Sequence, residues 1–337
     1  MKVLGIETSC DECSIAVVEN GRHILSSIVA TQIDIHRPFM GVVPEIASRT
    51  HTEWIRDTFT ETLHRGELAL EDLDGIAVTS RPGLVGSLLV GLSFAKGLAL
   101  ALGIPYTTVN HVKAHLYAPQ LEREISYPFL GLLVSGGHTM ICRVDGVDDI
   151  RVMGTTIDDA CGEAFDKVAK YYDMGYPGGV AIDRLAQTGN PQAFAFPGPN
   201  LHKGDHRYDV SYSGLKNAVI NQIDQFWDGV SEKSLENIAA SFQKRAIDIL
   251  VKRLLRAVED TALDRVVVGG GVAANSYLRS SLADVRGLEV LFPPLELCTD
   301  NGAMIAGLGY HYLKEGRISP LSEAASARVE GFRKTYP

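Results

Sequence analysis

His111 and His115 stand four residues apart in His111-Val112-Lys113-Ala114-His115, a spacing that brings two imidazoles onto one face of a helix. Asn110 is a good N-cap for that helix and Pro119 limits it. Two ring nitrogens one turn apart can be directed at one metal ion. The zincin signature HExxH needs a glutamate after the first histidine, and Val112 stands there instead. By itself the pair reads equally as a partly exposed helix face. A third ligand has to come from elsewhere, and Asp300 in Cys298-Thr299-Asp300-Asn301-Gly302 is the candidate. It follows an apolar, proline-rich run and precedes a helix, where loop ligands usually lie. The plainer role for Asp300 is a helix N-cap.

Three further stretches carry polar groups among glycines or at helix starts. Asp158-Asp159-Ala160-Cys161-Gly162-Glu163-Ala164-Phe165-Asp166-Lys167 is dense in carboxylates. Favourable acidic charge at a helix N-terminus accounts for Asp158 and Asp159, but less readily for Asp166 further in. Tyr176-Pro177-Gly178-Gly179-Val180-Ala181-Ile182-Asp183 is a glycine turn into a helix, with Asp183 expected on its first turn. A carboxylate there can accept both hydroxyls of a ribose, or simply cap. Gly269-Gly270-Gly271 before Asn275 lets a flat ring lie against the backbone, and Asn275 offers a donor and an acceptor. The alternative is an ordinary close strand–helix junction.

The elements that would position these groups come in two copies. Val3-Leu4-Gly5-Ile6-Glu7-Thr8-Ser9 has the shape of Phe129-Leu130-Gly131-Leu132-Leu133-Val134-Ser135, with Gly5 to Gly131 and Ser9 to Ser135 both offset by 126 residues. After each serine comes a polar turn and a second apolar run, closed by Asn20-Gly21 or Asp145-Gly146, dipeptides favoured at positive φ. Both copies predict strand, tight turn, strand. In the second, Ser135-Gly136-Gly137 has no bulky side chain to keep an anion off the backbone N–H groups. Such a repeat predicts two related halves with a cleft between them, against the plain alternative of two unrelated hairpins.

Along the chain, strands are expected at Ile24–Val29, Ile76–Thr79, Tyr106–Val109 and Arg265–Val268. Helices are expected from the Gly41–Arg49 loop to about His64, over Leu84–Leu102, and over Leu235 to about Val258. This order predicts an α/β fold with a parallel sheet covered by helices. Residues 188–214, rich in Gly, Pro, His and Asn, predict a long loop or insertion.

The 337 residues suit one large or two medium domains, and 45% apolar with 22% charged residues is ordinary for a soluble globular protein. A net charge of −9 invites no polyanion, so a nucleic-acid partner must meet a local basic patch. Five scattered cysteines make no disulfide framework, and Cys10-Asp11-Glu12-Cys13 has no second CxxC to complete a zinc site. The apolar run Leu84–Ile104 carries Lys96 and several glycines and ends in Pro105, which predicts a buried helix over a membrane span. The chain opens directly on a strand, with nothing resembling a signal peptide, and a cytoplasmic location is expected.

Ten ordered stretches carry a resemblance: GIETSCDE (5–12), GVVPEIASRTH (41–51), PGLVGSLLVG (82–91), HVKAH (111–115), LLVSGGHT (132–139), GEAFDKVAK (162–170), YPGG (176–179), SYSGLKNAV (211–219), GGGVAANSYLR (269–279) and CTDNGAMIA (298–306). They span nearly the whole chain, which closely resembles the universal Kae/Qri/TsaD family of tRNA N6-adenosine threonylcarbamoyltransferases. Departures are Lys113, where bacterial relatives are often acidic, Val180 in place of a proline, and Cys13 in place of a threonine.

The resemblance implies the actin-like (sugar kinase/Hsp70/actin, ASKHA) fold. Its N-terminal half would comprise 1–108 plus about 307–325, and its C-terminal half, 109–306, would carry both sites. It implies one divalent ion, iron(2+) or else zinc, held by His111, His115 and Asp300. Val134, Ser135, Gly136, Gly137 and His138 would cradle the phosphate and carbamate of threonylcarbamoyl-AMP, with Asp166, Gly179, Asp183 and Asn275 around its adenosine. Transfer to N6 of adenosine 37 in tRNAs reading ANN codons would release AMP, with Glu12 or Asp11 available for proton transfer. Implied partners are tRNA, a TsaB-like paralogue and a TsaE-like ATPase, with no membrane. Arg245, Lys252 and Arg256, with Lys203, His206 and Arg207, form the nearest thing to a basic face, and Ile46, Trp54, Ile55 and Phe59 are the expected partner face. Rival classes are an ATP-driven kinase or chaperone of the same fold, a metalloprotease and a non-catalytic scaffold. The histidine pair opposes the first and the missing HExxH glutamate the second.

Overall fold

The computed structural model describes residues 1–199, 201, 205–224, 229 and 231–328. In chain order it opens with β1 (Lys2–Glu7), β2 (Glu12–Glu19), β3 (His23–Thr31), α1 (Ile33–His36), α2 (Pro44–Arg65) and β4 (Gly75–Arg81). Then come α3 (Val85–Leu102), β5 (Tyr106–Asn110), α4 (His111–Tyr117), β6 (Phe129–Val134), β7 (Thr139–Val144) and β8 (Ile150–Thr155). The chain continues through α5 (Cys161–Tyr171), α6 (Gly178–Ala186), α7 (Ser213–Asp224), α8 (Leu235–Thr261), β9 (Arg265–Gly269), α9 (Ser276–Ala283), β10 (Glu289–Leu291) and α10 (Gly302–Lys314).

Two compact units result, one of Met1–Ser126 with the described residues from Pro293 on, the other of Tyr127–Phe292. The division falls after Ser126 and before Pro293, not at 108 and 306. The physical reason is local: β5 runs without a break into α4, and α10 packs on β1, β2 and β4. His111, His115 and Asp300 therefore belong to the first unit, while the glycine-rich candidates of 134–275 belong to the second.

The repeat is real at the level of sheet order. The first sheet runs β3-β2-β1-β4-β5 and the second β8-β7-β6-β9-β10, each an antiparallel meander followed by two parallel strands. Gly5 and Gly131 occupy the same place: Gly5 lies between Ala16 and Ala77, Gly131 between Cys142 and Val267. Asn20 and Gly21 take positive φ, as their types predict. Asp145-Gly146 does not, because the connection to β8 is wider, residues 145–149, and is closed by the Asp145 N–H donating to the Asp149 carbonyl at 2.9 Å.

The first unit's core joins Leu4, Ile6, Ile15, Val17, Ile76 and Val78 of the sheet to Ile55 and Leu63 of α2 and Leu92, Ala95 and Ala99 of α3. Trp54 and Phe59 pack against the same core, with Phe59 edge-on to Phe94 at 5.4 Å. Ile55 is thus buried in the fold, whereas Ile46, Trp54 and Phe59 are half-buried and keep part of their surface open. α3 buries Leu88, Leu92, Ala95 and Ala99 but leaves Val85, Leu89 and Leu100 exposed, so only one side is buried. It is, among the described residues, the one helix long and apolar enough to cross a membrane.

In the second unit, residues 188–214 hold no helix or strand before Ser213 among those described, yet Phe194, Phe196, Tyr208, Val210 and Tyr212 are buried. These five side chains anchor the described part of the segment to the core. Asp158 does not serve the start of α5; its carboxylate accepts from the N–H groups of Tyr212 (2.8 Å) and Ser213 (3.2 Å) and caps α7. Asp159 pairs with Lys167 at 2.8 Å.

Candidate functional site

In the first unit, the Asn110 side chain accepts from the N–H groups of Val112 (2.9 Å) and Lys113 (3.3 Å), starting α4 where expected. His111 and His115 then lie on one face, their rings edge-on at 4.6 Å. Lys113, two residues from each, projects from the opposite side. Asp300 is not the cap of α10: Asn301 is, accepting from the Met304 N–H at 2.9 Å. Freed from that role, Asp300 Oδ1 lies 3.0 Å from His115 Nε2 and 3.4 Å from His111 Nε2. One ligand atom from each of the three falls within 4.8 Å of the others.

The sequence reading missed Glu7. It is fully buried, accepts the Ser9 N–H at 2.5 Å and the Thr79 hydroxyl at 2.6 Å, and lies 2.9 Å from His111 Nδ1. Burial alone would raise the Glu7 carboxyl, but the His111 charge and hydrogen bond hold it below its ordinary value. Burial likewise disfavours charge on His111, yet Asp300 and then Glu7 outweigh it and push the imidazole up to about 9. His115 is held low by burial and by the His111 charge. Glu12, at the start of β2, is pushed well up by burial and by the Asp300 and Asp11 charges.

The donor set fits a divalent metal ion. Two imidazoles and a carboxylate of mixed hardness converge, with one ligand atom of each close to the others. Repulsion among Glu7, Asp300 and the neighbouring acids is what a cation would relieve.

The turn beside this group is braced from below. Val43 N–H donates to His36 Nδ1 (3.3 Å), so His36 Nε2 carries the proton that Gln32 Oε1 accepts (3.2 Å). Gln32 Nε2 reaches His51 Nδ1 (3.4 Å), and His51 Nε2 donates to the Cys10 carbonyl (2.9 Å). All three side chains are buried. His51→Ala should therefore cost about 1–3 kcal/mol in urea denaturation, the range for stranding buried polar partners. A loss below about 0.5 kcal/mol would show that the chain of bonds is not holding the turn.

In the second unit, Gly136 and Gly137 form the exposed tip of the β6–β7 turn, closed by Ser135 N–H to the His138 carbonyl (2.8 Å) and His138 N–H to Ser135 Oγ (3.1 Å). A Cβ on either glycine would meet nothing within 4 Å, so the space beside their backbone is open. A Cβ on Gly162 would sit 2.7 Å from the Ser135 carbonyl oxygen, so glycine is what lets α5 begin against this turn. Gly270 takes φ +95°, and a Cβ there would sit closer still to the Val134 carbonyl oxygen. The Gly136 and Gly137 N–H groups at this open tip are the ones suited to an anion, because at the start of α5 the Cys161 N–H donates to Thr139 Oγ1 (2.8 Å) and the Gly162 N–H to the Ser135 carbonyl (3.2 Å).

Asp166 accepts the Gly178 N–H at 2.9 Å and so caps α6, whose next residue is Gly179. Asp183 is on the second turn of α6, not the first. It accepts from Ser276 Oγ (2.7 Å), Ser276 N–H and Asn275 Nδ2 (3.3 Å). Asn275 is more committed than expected: its oxygen caps α9 through the Leu278 N–H (2.9 Å) and its nitrogen also donates to Gln243 (2.8 Å). Gln243 was not anticipated. Its signal is a glutamine on the apolar face of α8, level with Ala239 and Ala246. Of the expected basic face, Arg207 is spent on Asp260, Arg245 is part-buried, and Lys203 lies outside the described residues.

The sheet order and the β6–β7 turn define the class, an α/β protein with the actin-like ASKHA fold. Solved structures agree: full-length HypF in its phosphate- and nucleotide-bound form matches over 94% of this chain and 56% of its own (TM-score 0.62, 14% identity). Component A of the (R)-2-hydroxyglutaryl-CoA dehydratase of Acidaminococcus fermentans matches over 93% and 99% (TM-score 0.55, 14% identity). At such identities the likeness is one of fold alone.

Sequence relatives are far nearer. A protein of Treponema denticola named tRNA N6-adenosine threonylcarbamoyltransferase is 63% identical over 99% of both chains. One of the same name from Borreliella burgdorferi is 51% identical over all of this chain and 96% of its own. The family model "TsaD: tRNA N6-adenosine threonylcarbamoyltransferase" matches residues 23–307. This chain belongs to that family.

Proposed function

We propose that the chain transfers the threonylcarbamoyl group from threonylcarbamoyl-AMP to N6 of adenosine 37 in tRNAs that read ANN codons, forming N6-threonylcarbamoyladenosine and AMP. The observation that carries this is the convergence of His111, His115 and Asp300 in a chain of this family. These three hold one divalent ion, for which two imidazoles and a carboxylate with positions left open favour iron(2+), with zinc the alternative. When bound, the ion supplies Lewis-acid polarisation of the acyl carbonyl.

N6 is a poor nucleophile because its lone pair is delocalised into the ring. It attacks the carbamoyl carbon, the bond from that carbon to the phosphate oxygen breaks, and AMP leaves with the electron pair. The amine proton passes to a carboxylate of the 5–12 stretch, Glu12 or Asp11. Within the Val134, Ser135, Gly136, Gly137 and His138 turn, the Gly136 and Gly137 N–H groups meet the phosphate, those of Ser135 and His138 being spent on closing the turn. Asp166, Gly179, Asp183 and Asn275 surround the adenosine, with Asp183 accepting ribose hydroxyls and Asn275 holding Asp183 in place. Asp183→Ala should weaken threonylcarbamoyl-AMP binding by about 10–100-fold in calorimetry, as loss of charge-assisted hydrogen bonds implies. Unchanged affinity in both Asp183→Ala and Asn275→Ala would remove the pocket assignment.

A net charge of −9 opposes a polyanion, and tRNA binding normally needs several Lys or Arg contacts to phosphate. We therefore include a TsaB-like paralogue and a TsaE-like ATPase as partners, in the cytoplasm. The test is incubation of tRNA with this protein, those partners, the adenylate-forming enzyme, threonine, bicarbonate and ATP, followed by mass spectrometry of the nucleosides. Threonylcarbamoyladenosine should appear and should fall sharply when the TsaB-like protein is omitted. Its absence from the complete mixture, or steady sugar phosphorylation or glycoprotein cleavage by the chain alone, would replace this reading with one of its rivals.

A further inference from the structure

Glu7 ends β1 and reaches the histidine pair from within the sheet. Its Oε1 accepts the Ser9 N–H at 2.5 Å; its Oε2 accepts the Thr79 hydroxyl at 2.6 Å and lies 2.9 Å from His111 Nδ1. Ser9 Oγ is 3.3 Å from the same nitrogen. Both Glu7 oxygens are thus required as acceptors, a demand met by a carboxylate and not by an amide, which offers one oxygen and one NH2. A bare Nδ1 would set its lone pair against Oε2, so Nδ1 carries a proton. Nε2, on the far side of the ring, is the nitrogen that faces Asp300 at 3.4 Å.

We propose that Glu7 is a positioning residue for the metal centre. It fixes His111 with its proton on Nδ1, locks the ring's orientation and strengthens Nε2 as a donor. This rests on the reading of His111, His115 and Asp300 as ligands. Thr79, at the end of β4, holds Glu7 in turn, so two central strands of the sheet set the orientation of a ligand carried on α4. The second ligand lacks such a support: His115 Nδ1 is buried and has no protein partner among the described residues. The two histidines are therefore unequal, His111 being oriented in advance and His115 by the ion and Asp300.

The test uses cobalt(II) as probe on the full chain. Wild type should take up about one equivalent with visible d–d absorption, and His115→Ala should not. Glu7→Gln should weaken cobalt binding by about 10–100-fold, the usual cost of losing such a support, and shift the d–d bands. Thr79→Val should weaken it less. Because Glu7 is buried, a measurement on the unaltered protein stands beside these: with zinc bound and histidines labelled with ¹⁵N, His111 should show an exchange-protected proton on Nδ1. Wild-type cobalt affinity and spectrum in folded Glu7→Gln, or zinc on His111 Nδ1, would overturn the assignment while leaving the ligands intact. No cobalt uptake by wild type, or equal uptake by His115→Ala, would instead remove the metal reading and this inference with it.

Discussion

Asp300→Ala should abolish metal binding and with it at least about 10²–10³-fold of the proposed transfer rate, since carbonyl polarisation by an ion is worth several kcal/mol and each 1.36 kcal/mol is a decade. Asn301, not Asp300, caps α10, so the fold should survive with a denaturation midpoint close to that of the unaltered protein. His111→Ala and His115→Ala should lose the metal too. His111→Ala should also cost stability, because it strands the buried Glu7 carboxylate. Metal analysis of the three purified variants checks this. Full metal in Asp300→Ala, with loss in the histidine variants, would show that the third ligand lies elsewhere.

The second large effect is expected at Gly162. An added methyl would sit 2.7 Å from the Ser135 carbonyl oxygen and 2.8 Å from the Gly136 Cα, both backbone atoms that cannot swing aside. Gly162→Ala should push the Ser135–Gly137 turn away from α5, costing about 1–3 kcal/mol by overpacking. Threonylcarbamoyl-AMP affinity should fall by more than tenfold with it. Gly137→Ala is the control, since its Cβ meets nothing within 4 Å and its φ is not in the left-handed region. It should leave stability within about 0.5 kcal/mol. Equal stability and equal affinity in Gly162→Ala and the parent would mean that the turn is not held where phosphate binding requires it.

Much of this was legible because local chemistry and tertiary structure agree. Asn110 capping α4, the i,i+4 histidines and the duplicated strand–turn–strand are short-range patterns, and each appears where its residue types put it. What was hidden depends on distant partners. Glu7 reads as one more acid at a strand end until His111 arrives from β5–α4 more than a hundred residues later. Asp158 looks like charge for α5, but Ser211–Ser213 returns to claim it as the cap of α7. Trp54 and Phe59 have the composition of an interface, and no local pattern says that each also packs partly against the first unit's core. Asn275 offers a donor and an acceptor in sequence, and Leu278, Gln243 and Asp183 take both. The domain boundary was misjudged because Asn110 ends a strand and starts a helix without any turn between them.

The most direct test of the central claim supplies threonylcarbamoyl-AMP, labelled with ¹³C in its threonine, to the chain and its TsaB-like and TsaE-like partners with a tRNA reading ANN codons. Released AMP and labelled nucleoside are counted in the same sample, with His115→Ala alongside. The account predicts one AMP for each labelled threonylcarbamoyladenosine, all of it at position 37, and neither product above background in the variant. AMP released without labelled nucleoside, or equal labelling by His115→Ala, would contradict it.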